Sequence, residues 1–188
     1  MLECLFCIAL SPLLNTYDNS IQSDWGGHIS VGRPLSVFVS YESPRMQIVG
    51  QNAPFDMWGA GLGAEKDFGP VSLSLEIGHF WPNPNIDDNI RNEIVNTTLR
   101  NNHGQPKWKP TAFEYGLDNG WGGRIEASIE MTQRFSIFGA YRYLSVNESM
   151  DMCEIGPCEY GESGRHWQER NARNLSSWQV GVTLDIGK

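Results

Sequence analysis

Apolar and polar residues alternate one by one over long parts of this chain. Leu35, Val37, Val39 and Tyr41 alternate with Ser36, Ser40 and Glu42, and Val71, Leu73, Leu75 and Ile77 with Ser72, Ser74, Glu76 and Gly78. Ile125, Ala127, Ile129 and Met131 alternate with Arg124, Glu126, Ser128 and Glu130, and Trp178, Val180, Val182, Leu184 and Ile186 with Gln179, Gly181, Thr183 and Asp185. A period of two is that of side chains on a β-strand, so each segment has one apolar and one polar face. Strands are expected at 35–43, 56–66, 70–81, 111–118, 121–131, 134–146 and 175–187. Gly59, Gly61 and Gly63 thread the second of these, as suits a wall facing a narrow interior.

The connections alternate as well. Residues 66–69 and 132–134 are tight, and Asp118-Asn119-Gly120 holds the Asn-Gly pair of hairpin turns, whereas 44–55, 82–110 and 147–174 are long and polar. Neighbouring strands are therefore antiparallel, and an up-and-down barrel is expected. Closing it with both termini at one end needs an eighth strand, best placed at Glu93–Arg100, where Val95, Thr97 and Leu99 share a face. The same stretch also reads as an amphipathic helix through Ile86, Ile90 and Ile94. Six strands with 82–120 as one loop is the alternative. His28–Val31 adds a strand-like extension, so the barrel domain is expected to span 28–188.

Alternation does not say which face is the core. Tyr41, Trp58, Trp81, Trp121, Tyr143 and Trp178 each fall where a strand meets a long connection, as interfacial aromatics do at a water/lipid boundary. The polar face carries Glu42, Glu65, Glu76, Arg124, Glu126, Glu130, Arg142 and Asp185, which can pair inside a narrow lumen. Both features favour an apolar face turned to lipid. A soluble extracellular or virion-associated barrel or sandwich, with the apolar face as an ordinary core, is the alternative.

The hairpin units FDMWGAGLGAEKDFGPVSLSLEIGHFW and GWGGRIEASIEMTQRFSIFGAYRYLSV, with the last strand SSWQVGVTLDIG, resemble the small outer-membrane β-barrels of Gram-negative bacteria, the opacity-protein and OmpA-like group. The likeness covers about residues 28–188 and is one of pattern. It implies an outer-membrane location and brings no catalytic residues. That group usually ends in an aromatic residue, whereas this chain ends Asp185-Ile186-Gly187-Lys188, which leaves room for a truncated, divergent or virus-encoded relative.

Composition narrows the rest. A chain of 188 residues with 20 Gly and 11% aromatics fits one glycine-rich β domain. A net charge of −8 without clustered Lys and Arg argues against nucleic acid as a partner. No stretch approaches the ~18 apolar residues of a membrane-spanning helix. Residues 1–27 read as a signal-like apolar segment and lead-in, although Glu3 stands where a signal carries positive charge. Cys153 and Cys158, in an acidic loop, suit a small disulfide, and Cys4 and Cys7 read as two unremarkable thiols.

Three sets of residues could carry chemistry. His28 and Ser30 share a strand face and Glu42 shares their parity, which invites comparison with a His/Ser/Glu lipid hydrolase. Arg165, Arg170 and Arg173, beside His166 and Trp167, form a basic cluster suited to lipid phosphate. The acidic loops lack the spacing of a calcium site, and no cofactor motif is present. The expected role is that of an outer-membrane barrel without a pore, not an enzyme. It would act through its long loops in adhesion, surface interaction or membrane integrity. Membrane lipid, lipopolysaccharide and a host-surface molecule are the expected partners.

Overall fold

In the computed structural model, which describes residues 8–17, 21–22, 24–48, 51–101, 112–153 and 166–186, the chain is almost entirely strand. The strands are β1 (Ile8–Tyr17), β2 (Ile21–Gln22), β3 (Asp24–Val31), β4 (Leu35–Glu42), β5 (Arg45–Ile48), β6 (Gln51–Phe68) and β7 (Val71–Pro84). After the helix α1 (Asp88–Asn101) come β8 (Ala112–Leu117), β9 (Gly120–Thr132), β10 (Phe135–Cys153), β11 (His166–Asn174) and β12 (Ser177–Ile186). Eight of them, β1, β3, β4, β6, β7, β9, β10 and β12, pair antiparallel in that order, and β12 returns to β1 to close the barrel.

The eighth stave is not where the sequence pattern placed it. Ile8–Tyr17, expected to be part of a signal-like lead-in, pairs with β12 on one side and β3 on the other. The domain therefore includes residues well before His28. Glu93–Arg100 falls within α1, whose buried Ile94 and half-buried Ile90, with half-buried Ile86 just before the helix, pack on the core of the molecule's upper half. Their spacing of four suits a helix, and it prevails over the weaker strand parity of Val95, Thr97 and Leu99.

Two of the three segments read as long loops, 44–55 and 147–174, are continuations of the staves where they are described, whereas 82–110 holds the end of β7 and α1. β5 pairs with β6 in the register already set by β4, and β11 pairs with β10 in the register of β12. β8 runs along β10 in line with β9, offset by one residue. Asp118-Asn119 is thus a break within a long strand and not the hairpin turn its Asn-Gly pair predicts. Ser43-Pro44 and Leu175-Ser176 are similar breaks. Each is bridged by a backbone bond: Phe55 N to Pro44 O at 3.0 Å, Asp118 N to Asn147 O at 2.9 Å, and Leu175 N to Leu144 O at 2.8 Å. At the other end the staves join by short turns, among them Gly69-Pro70, where Gly69 takes the positive φ of 73° that such a hairpin requires.

The polarity of the two faces changes at the level of the breaks. Below it the outward face is apolar: Leu73, Leu75, Ile77, Ile125, Val180 and Leu62 are exposed, while Glu76, Arg124 and Asp185 are buried in the lumen. Above it the polarity inverts without a change of parity. On β6 the outward residues Asn52, Pro54 and Asp56 are polar or proline, and the inward Ala53, Phe55 and Met57 are buried. On β10 the change falls at Tyr143, above which Leu144 and Val146 point in and Ser145 and Asn147 point out. The upper half thus has an ordinary apolar core of Met46, Ile48, Phe55, Ile94, Phe113 and Leu144, and only the lower half is turned inside out.

Candidate functional site

The lumen is filled at successive levels. At the mouth, between the short turns, Arg33 reaches inward from the β3–β4 connection; its Nε lies 3.1 Å from Glu65 Oε2 and its Nη2 3.2 Å from Asp185 Oδ1. Above it lies a polar chamber of about 40 Å³ lined by hydroxyls, including Ser11, Ser30 and Ser36. Arg124 roofs the chamber, donating to Glu76 at 3.2 Å, to Gln179 Oε1 at 2.7 Å and to Glu126. Fully buried Arg142, the register partner of Arg124 on β10, donates to Glu42 and to Tyr17 Oη at 3.2 Å, and Tyr17 donates in turn to Glu42.

Inward phenylalanines fill the space between the charged layers. Arg124 lies over Phe138 at 5.2 Å, Arg142 over Phe80 at 5.5 Å, and His28 stacks on Phe38 at 5.2 Å. The glycines of β6 and β7 make room for these rings. A Cβ on Gly59 would lie 2.5 Å from the Phe80 ring, and one on Gly78 would lie 2.6 Å from that of Phe38. A void of about 10 Å³ lies between the Arg124 and Arg142 side chains. A buried charge is costly unless paired and hydrogen-bonded, which is why each arginine meets a carboxylate.

The trio His28, Ser30 and Glu42 is not assembled as a triad. His28 Nε2 is 3.1 Å from Glu76 Oε1, while Glu42 is engaged by Tyr17, Arg142 and Gln179. His28 and Ser30 both border the internal chamber, so neither faces lipid. The pairing with Glu76 spans 48 positions and no sequence spacing could signal it. No group of metal-ligating side chains occurs among the described residues.

The basic cluster also separates. Arg173 turns inward, with Nη1 3.5 Å from Glu148 Oε2 and Nη2 3.4 Å from Gln47 O, whereas Arg170 is exposed on the outer wall. Arg165 and Cys158 lie outside the described residues, as does the side chain of Cys153.

The six aromatics singled out by the sequence lie at one level. Tyr41 pairs in register with Trp58 and Trp58 with Trp81; Trp121 stands opposite His79, and Tyr141 opposite Trp178. Trp58, Trp81, Trp121, Tyr143 and Trp178 are exposed, and Tyr41 is half-buried with its hydroxyl donating to Asp56 Oδ1 at 2.7 Å. Sequence reading missed Trp25 and Tyr141, which complete the ring on β3 and β10. The strand-end rule finds Trp25 once β3 is recognised as a stave.

A closed antiparallel barrel with an apolar outside and a charged, side-chain-filled inside is a membrane-spanning β-barrel of the outer-membrane type. Solved structures share the fold. The outer membrane protein OprG from Pseudomonas aeruginosa superposes with a TM-score of 0.56 at 9% identity, over 99% of this chain and 98% of that one. The outer membrane protein AlkL, determined in lipid bilayers, superposes with a TM-score of 0.57 at 8% identity, over 97% and 91%. No protein-family model and no curated protein sequence matches the chain.

Proposed function

We propose that the protein is a closed anchor in the outer membrane that works at the cell surface through the part of its strands standing beyond the bilayer. The observation that carries this reading is the layered lumen: two buried arginine–carboxylate layers, interleaved with phenylalanine rings, obstruct the barrel, so transport of solutes down its axis is disfavoured. An eight-stranded barrel is just wide enough for its own side chains.

The aromatic ring marks the outer-leaflet boundary in this reading. From Val71 to Trp81 the outward face rises roughly 33 Å along the strand at ~3.3 Å per residue, or about 25 Å in height at a tilt of about 40°. That matches a hydrocarbon band. The short turns then face the periplasm, and everything above the strand breaks is extracellular. Surface interaction fits this extension better than membrane integrity alone does, because it has its own apolar core and is therefore rigid enough to present a fixed surface. Its partner is either the lipopolysaccharide around it or a molecule on a host surface.

Two measurements test the proposal. Protein reconstituted in planar bilayers is expected to give no steady ionic conductance, and protease added to intact cells is expected to cut only in the extension. A stable open channel, or cleavage confined to the short-turn end, would overturn it.

A further inference from the structure

We propose that the outer wall of the extension carries a binding trough for the sugar headgroup of an outer-leaflet glycolipid. This rests on the reading that the extension is extracellular and that the aromatic ring marks the leaflet boundary. Three strands lie side by side there, β8 and β11 flanking β10. Ser149 stands opposite both Gly116 and Arg170, and Asn147 opposite Ala172, with Asp118 bonded to Asn147 through its backbone. These β10 positions share the outward parity of Tyr143.

The small residues Ser149 and Ala172 keep the floor low, and a hollow of about 390 Å³ opens over this part of the sheet. That size is within the ~300–1,000 Å³ range of small-ligand sites. Exposed Asp118 and Arg170 stand at its sides, and the exposed amide of Asn147 borders it. A sugar hydroxyl both donates and accepts, so adjoining carboxylate, amide and hydroxyl groups can take its vicinal pairs. The Arg170 guanidinium adds a fork for an acidic substituent on the ring. A bare phosphate fits poorly, because the Asp118 carboxylate borders the same hollow.

Height identifies the occupant. Asn147 and Ser149 stand four and six residues above Tyr143 on β10, roughly 10–15 Å above the ring. The polar interface of a bilayer extends only about 5–8 Å beyond the hydrocarbon on each side. The trough therefore overlooks the sugars of a glycolipid and not its membrane-level phosphates.

The test uses the full chain folded in detergent micelles and two probes, purified lipopolysaccharide with its core sugars and lipid A without them. The wild type is expected to bind the core-bearing probe about tenfold more tightly, a difference of ~1.4 kcal/mol. Arg170→Glu, and Ala172→Trp to fill the hollow, are each expected to abolish that preference while heat-modifiable gel migration stays normal. Equal affinity of the wild type for the two probes overturns the proposal, as does an Arg170→Glu protein that keeps the preference. Protease access on intact cells reports separately on whether the extension is outside.

Discussion

Arg33 Nη2 lies 3.2 Å from Asp185 Oδ1, joining the β3–β4 connection to the last strand across the mouth of the barrel. Its Nε meets Glu65 on β6, so one side chain ties together staves that are not neighbours. The pair is a fifth exposed at Arg33 and almost wholly buried at Asp185, and water therefore screens it only in part. Arg33→Ala is expected to lower unfolding stability by about 1 kcal/mol, the upper end for a partly exposed pair. Urea titration of the detergent-folded protein, followed by tryptophan fluorescence, measures it. Bilayer conductance should stay at baseline, because the Arg124 and Arg142 layers lie behind the mouth.

The Arg142–Glu42 pair should behave differently, since both side chains are only 2% exposed. Removing one partner strands the other charge in the lumen. Arg142→Ala or Glu42→Ala is expected to cost about 3–5 kcal/mol, whereas an Arg142→Met/Glu42→Leu double variant should recover most of the loss. The same urea titration decides, and a double variant no better than the singles would show that packing around Tyr17, and not the stranded charge, sets the cost.

Two glycines offer a contrast within the wall. A Cβ on Gly61 would lie 2.1 Å from Ile77 O and 2.5 Å from Gly78 Cα, both backbone atoms that cannot step aside. A Cβ on Gly139 would meet nothing within 4 Å. Gly61→Ala is therefore expected to destabilise by about 1–3 kcal/mol, in the manner of an overpacked core, and Gly139→Ala to be nearly neutral. The temperature at which the heat-modifiable gel band shifts provides the comparison.

Tyr115 in the extension gives a pH signature. Its hydroxyl donates to Glu148 Oε1 at 2.7 Å and also touches Met46 Sδ at 3.1 Å; the carboxylate, being charged and closer, takes the proton. Burial first, and then the Glu148 carboxylate, hold the phenol well above its ordinary range. A group whose folded pKa is raised contributes stability that is complete below its unfolded pKa, here about 10, and is lost as the pH rises beyond it. Wild-type stability should thus fall above about pH 10 more steeply than that of Tyr115→Phe. Parallel urea midpoints from pH 8 to 11 check this, and identical slopes would exclude Tyr115 as the source.

How much of this was legible in the sequence depended on the range of the interaction. The staves β4, β7, β9, β10 and β12 declare themselves because alternation is local, and the aromatic ring follows from where their ends fall. β1 was hidden because Pro12 and Leu13 interrupt the alternation of outward Leu10 and Leu14 with inward Ser11 and Asn15. Its apolar run then looked like a leader. The strand continuations β5 and β11 were hidden by their own polarity inversion, since a polar outward face above the ring reads as loop, whereas β8 was expected at 111–118 but as a stave of its own. The lumen pairs could be guessed as a set but not matched, because partners such as Glu42 and Arg142 lie 100 positions apart.

The direction of the apolar face is the premise on which the surface reading stands, and one outward residue can test it. Leu75 is 59% exposed and sits midway up the apolar band of β7, flanked in register by Ala64 and Ile125. On a soluble barrel, Leu75→Arg at such an exposed site would be neutral and would aid solubility. On a lipid-facing wall it puts a cation near the bilayer midplane, which costs about 2–4 kcal/mol. The same arginine at outward-facing Asn147, above the ring, should cost less than about 0.5 kcal/mol, as ordinary surface substitutions do. Refolding each variant into phosphatidylcholine vesicles and titrating with urea gives both values. A Leu75→Arg protein as stable as the Asn147→Arg one would mean that hydrocarbon does not surround this band, and the aromatic ring would then mark no membrane boundary.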